Sequence, residues 1–158
     1  MKRAAALLSS VARDQRGVSA IEFALLGPMV FLLVLGTVEI ALDMFVDASV
    51  QLAAQQASRV GLTTTTPSSG TRDSQARAII NAYLAPWTRI GGTVTISTLN
   101  YGSYGNVGTS SYQSNMGNFG DVVSYNIAVT IPGFSGIQKL FGISSLTFSR
   151  NYLVQNEK

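Results

Sequence analysis

Residues 17–38 read GVSAIEFALLGPMVFLLVLGTV, and one carboxylate, Glu22, stands near the start of an otherwise apolar run. From residue 23 to residue 38 no side chain is charged. Carried back across Glu22 to Val18, the run holds about twenty residues, enough at 1.5 Å per residue to cross a bilayer core of roughly 30 Å. An ionisable side chain inside such a segment is costly, so Glu22 is a functional candidate. The flanks orient the span. Lys2, Arg3, Arg13 and Arg16 precede it, while Glu39, Asp43 and Asp47 follow it. The positive-inside rule then places the N-terminus in the cytoplasm and the remainder outside. A cleaved secretory signal is the rival reading, but residues 39–43, EIALD, suit signal peptidase poorly. A plain uncleaved anchor is the simplest alternative.

The helical pattern continues past the membrane edge. Ala41, Phe45, Ala48 and Leu52 recur at steps of four, three and four, while Glu39, Asp43 and Asp47 fall on another face. Arg59 in the last turn and Gly61 as a C-cap predict an end near Val60. One helix over residues 18–60 is therefore expected, its second half packing on something outside the membrane. Gly27-Pro28 predicts a kink or local unwinding in the first half, because proline removes a donor and crowds the preceding turn. The acidic side reads either as a metal- or partner-binding stripe or as a solvated face, and the second is preferred.

The rest of the chain predicts a small external domain. Residues 61–70 read as a polar linker. Ala76, Ile79, Ile80, Tyr83 and Leu84 form a helical stripe, with Thr71 as its cap, Pro86 as its end and Trp87 beyond as an anchor. Val94 and Ile96 alternate with polar residues, as in a strand. Residues 100–120 are rich in Gly, Ser, Asn and Tyr and read as a long exposed loop, either a solvated connection or a partner-binding surface. Val123, Tyr125, Ile127, Val129 and Ile131 point one way along a half-buried antiparallel strand. Pro132-Gly133 ends it, a short helical turn follows at residues 137–141, and residues 146–154 form the last strand. The fold class is α+β: a long kinked N-terminal transmembrane helix, then a small antiparallel-sheet domain with one further helix. The boundaries are a basic leader at 1–17, the helix at 18–60, the linker at 61–70 and the external domain at 71–158.

Composition narrows the function. The chain has no cysteine or histidine among its 158 residues, which removes thiolate nucleophiles, the commonest general base and the commonest metal ligand. Lys139 is the only lysine away from the termini, and nothing beside it suggests activation. No phosphate loop, dinucleotide fingerprint or zinc spacing is present, so neither an enzyme nor a cofactor is expected. The basic pI of about 9.5 has a local origin. The first seventeen residues carry four cations and one anion, and their net +3 equals that of the whole chain. The remainder is formally neutral, which argues against nucleic acid as a partner.

A basic leader, a glycine, four small or apolar residues and then Glu-Phe entering an apolar helix form a compound pattern. In Arg16-Gly17-Val18-Ser19-Ala20-Ile21-Glu22-Phe23, with Pro28 following, the sequence resembles the class III signal of type IV pilin-like proteins. The likeness is to the TadE-like minor pilins, or pseudopilins, of the tight-adherence (Tad/Flp) pilus system. It continues more weakly to Arg59 and returns in the C-terminal strand, Pro-Gly turn and final strand. The resemblance implies that a prepilin peptidase of the inner membrane cuts between Gly17 and Val18. It makes Glu22 and Phe23 the assembly and recognition residues. It names other pilin subunits, the assembly platform and the membrane as partners, in a pilus that serves adhesion. Glu22 would then pair with the new Val18 amine of its own chain or a neighbour and set axial register. The long segment after the helix separates this chain from the short major pilins, and the processing motif is shared with TadF-like sisters. The alternative is a single-pass envelope protein whose external domain binds a ligand.

Overall fold

The structure, a computed structural model, describes residues 16–62 and 69–157. Most of the expected leader and linker therefore lies outside the described residues. Helix α1, Arg16–Leu62, is 47 residues long, about 70 Å at helical rise. It runs without interruption through Pro28, so the local unwinding expected there does not break the element. Phe23 lays its ring over Gly27, where a Cβ would stand 3.6 Å from the ring edge, so the glycine leaves room for the aromatic one turn earlier.

The domain after α1 is a three-stranded antiparallel sheet with its helices on one face. Strand β1, Thr93–Asn100, pairs with the central β2, Val122–Pro132, which pairs with β3, Ser145–Gln155. The register sets Ile96 opposite Ile127 and Val129 opposite Phe148. The expected alternation along β2 holds: Val123, Tyr125, Ile127, Val129 and Ile131 are all buried. They meet Ala76, Ile80 and Leu84 of helix α2, Arg72–Arg89, and Val46, Val50, Ala53, Ala54 and Ala57 of α1. Small alanines on α1 allow close approach of the second helix, and each fully buried Val or Ile contributes roughly 1.5–3 kcal/mol.

Local chemistry explains the ends of α2. Thr71 Oγ1 accepts from the Ser74 N–H at 3.1 Å, and Ser74 Oγ accepts from the Thr71 N–H at 2.9 Å, which closes a capping box. Pro86 does not end the helix as expected, and the last turn runs on to Arg89. Trp87 thus lies within α2, where it packs on the core edge-to-face with Phe134, ring centroids 6.3 Å apart.

The stripe that α1 turns toward the domain differs from the one expected. Ala41, Phe45, Ala48 and Leu52 are exposed, Phe45 by 67%. The packed face runs Glu39, Asp43, Val46, Val50, Ala53 and Ala57, at steps of four, three, four, three and four. The two stripes are offset by two residues, about 200° around the helix. The acidic side is therefore the lower end of the packed side, and the reading of it as a solvated face is corrected: Glu39 is only 4% exposed.

Candidate functional site

Three features of the chain are candidates for function. The first is the N-terminal turn of α1. Gly17 and Val18 fall within its first turn. Val18 and Glu22 are both exposed and stand four residues apart, one above the other on the same helix face. Phe23 is exposed as well, and Gly27 and Pro28 follow one turn on. Nearly every large apolar side chain from here to Val38 faces outward, as a lipid-facing helix requires.

The second is the junction between the span and the domain. Glu39 is the first charged residue after the apolar run. Its Oε1 accepts from the Phe134 N–H at 2.8 Å, and its Oε2 accepts from the Ser135 N–H at 2.7 Å. Burial pushes the Glu39 carboxyl up, but the bonds from Ser135 and Phe134 outweigh it and hold the group below its ordinary value. One turn on, Asp43 Oδ2 accepts from Gln138 Nε2 at 3.1 Å. Burial and the neighbouring Glu39 charge raise the Asp43 carboxyl above its ordinary value. A further turn on, Asp47 pairs with Arg150 of β3. Each carboxylate of the stripe is committed to a different donor of the chain's own domain, so the three form a docking seam. Nothing in the spacing of Glu39, Asp43 and Asp47 identified those donors, which lie about a hundred positions further on. The heptad continuity with Val46 and Val50 was the available signal.

The third lies at the opposite end of the sheet. The segment between β1 and β2 is exposed, as expected, but it is tied down. Asn100 and Gln113 exchange backbone hydrogen bonds, and Asn100 Nδ2 donates to Asp121 Oδ2 at 3.1 Å. Arg72 lies over the Phe119 ring at 4.4 Å and donates to the Gly117 carbonyl. Asn156, buried, donates from Nδ2 to the carbonyls of Met116 and Asn118 at 2.7 and 2.9 Å. The sequence offered no sign of that role for Asn156. Gly117, with φ of +65°, is required here, because a Cβ would stand 2.6 Å from both Asn100 Nδ2 and Asp121 Oδ2. The segment so held walls a cleft of about 860 Å³ whose polar lining includes Arg72, Asp73, Tyr101, Tyr112 and Asp121. Nearby, burial pushes the Tyr125 hydroxyl up to about 12, so it stays protonated throughout the physiological range.

Among the described residues one apolar helix is long enough to cross a membrane and runs on into an α+β domain, an architecture consistent with membrane anchoring. Residues 17–59 match the model of the family described as TadE-like protein, so the likeness covers α1 and not the domain that follows it. The resemblance seen in the sequence is borne out over those residues. No curated protein and no solved structure matches the chain.

Proposed function

We propose that this protein is a minor pilin, or pseudopilin, of a Tad/Flp-type pilus, and that it acts without catalysis in assembly of an adhesive fibre. The observation that carries this reading is the match of residues 17–59 to the TadE-like model. In this proposal a prepilin peptidase removes the basic leader at Gly17–Val18, and the domain stands on the outer side of the bacterial inner membrane. The apolar face of α1 that the domain leaves free, Phe45, Ala48 and Leu52, continues the lipid-facing surface upward. It suits packing against other pilin helices. Cleavage would create an α-amino group on Val18, one turn from Glu22, and a carboxylate in lipid is tolerated when a cation pairs with it.

N-terminal sequencing of the protein recovered from membranes tests the proposal. A mature chain starting at Val18 is expected, and one starting at Met1 would count against it. Glu22→Gln should leave cleavage intact and impair pilus formation; normal fibres in that variant would remove the register role. The second reading, an anchored envelope protein that binds a ligand, is favoured by the cleft beside Arg72 and Tyr112. It predicts an uncut N-terminus.

A further inference from the structure

We propose that the segment after β2 is a second membrane contact, a short apolar foot that enters the outer headgroup region beside the exit of α1. The inference rests on α1 spanning the bilayer and deepens the membrane anchoring proposed above. The bilayer boundary is set by the chain itself, because the charge-free run ends at Val38 and Glu39 follows directly. Glu39 then grips the Phe134 and Ser135 amides, which fixes the start of this segment at the level where the span ends. From there the chain forms the single-turn helix α3, Ile137–Leu140, closed by bonds from the Phe141 and Ile143 amides to the Gln138 carbonyl, each 3.0 Å.

What this turn presents is apolar and unpacked. Leu140 is 72% exposed and Phe141 77%, the two highest values for large hydrophobics among the described residues, and Ile143 follows at 42%. Hydrophobic side chains this bare are an unexplained cost in water. At the headgroup–acyl boundary they are the expected anchors. Lys139, exposed next to Leu140 in the same turn, has the reach to snorkel toward phosphate groups. The same end of the sheet carries the α2–β1 turn, where Gly91 approaches Pro132, with Arg89 and the exposed Ile90. The opposite end, with the cleft, carries no comparable cluster among the described residues: its exposed aromatics are tyrosines and one phenylalanine set among polar side chains. A lipid surface fits the apolar end because Glu39, at the end of the charge-free run, holds this segment at the headgroup level.

The chain has no cysteine, so single nitroxide labels can be placed without background. The full-length protein carries one label at Leu140→Cys, Phe141→Cys, Val30→Cys or Ser110→Cys. It is reconstituted at high lipid-to-protein ratio into vesicles of phosphatidylcholine and phosphatidylglycerol at 3:1. Power saturation with oxygen and with a water-soluble nickel chelate reads the depth. The expected result is a label at 140 or 141 with several-fold higher oxygen-to-nickel accessibility than at 110, and shallower than at 30. A label at 141 as open to nickel as that at 110 would overturn the foot. So would one shielded from both relaxants, which would mean a protein occupant. If the label at 30 is itself open to nickel, the spanning reading fails; if 30 is embedded and 141 is not, the foot alone fails.

Discussion

Replacing Glu39 by glutamine tests the seam that ties the membrane helix to the domain. The carboxylate accepts two backbone N–H groups, from Phe134 and Ser135, at 2.8 and 2.7 Å, in a site only 4% exposed. Hydrogen bonds to a buried charge contribute about 1.5–3 kcal/mol each. Glutamine keeps one acceptor but turns an NH₂ toward the second N–H, so one bond is lost and two donors oppose each other. The expected cost is about 2–4 kcal/mol. With a urea m-value of about 1–2 kcal/mol/M, the midpoint should fall by roughly 1–4 M. The assay is urea unfolding of the full chain in detergent micelles, followed by the fluorescence of Trp87, the sole tryptophan, which meets Phe134 edge-to-face. The pH dependence is fixed in sign. Glu39 is held below its ordinary value of 4.5, so its contribution is present in full above that pH and is lost as pH falls through the lower value in the fold. The gap between wild type and Glu39→Gln should therefore be constant at neutral pH and close in acid. Asp47→Asn is the control, because its pair with Arg150 is about one-third exposed on both sides, and such pairs contribute under about 1 kcal/mol. A Glu39→Gln midpoint no lower than that of Asp47→Asn, or a gap that widens as pH falls below 4.5, would refute the argument.

Asp43→Asn should act in the opposite direction: burial and Glu39 raise the Asp43 carboxyl, so its charge costs the fold at neutral pH and the cost vanishes as pH falls through the raised value. A higher urea midpoint at pH 7, with no gain in acid, is expected. Ile80→Ala removes a fully buried side chain between α1 and the sheet and should cost about 2–5 kcal/mol in the same assay. Gly92→Ala puts a Cβ 2.7 Å from the Trp87 carbonyl oxygen and 3.0 Å from Ile131 Cγ2, so the turn must shift; a loss of about 1–3 kcal/mol is expected, with a changed Trp87 emission.

The parts of this fold that depend on near neighbours were legible in the chain. Period two along β2, the cap at Thr71 and the charge-free run before Glu39 each express local geometry, and all three appear where expected. Pro86 reads locally as a helix end, but a proline near a helix end can sit inside the last turn when tertiary contacts hold Trp87. The facing of α1 departs from its periodicity for a deeper reason. Its second half carries two apolar stripes, and periodicity ranks Phe45 and Leu52 above the smaller Ala53 and Ala57. Packing against α2 prefers the small side chains, since they let the helices approach closely, and it leaves the large ones outside.

By itself, then, the sequence determined the membrane helix, the order of elements and the resemblance at Gly17–Phe23, because hydropathy, period and motif are properties of neighbouring residues. Only the tertiary structure decided what the acidic side of α1 is for. Glu39, Asp43 and Asp47 look like a solvated face until the turn after β2 and Arg150 are brought against them. The same closure brings the turn that carries the exposed Leu140 and Phe141 to the level of Glu39, where the charge-free run ends. Those partners lie about a hundred residues away along the chain, and a contact of that range has no signature in the spacing of either side.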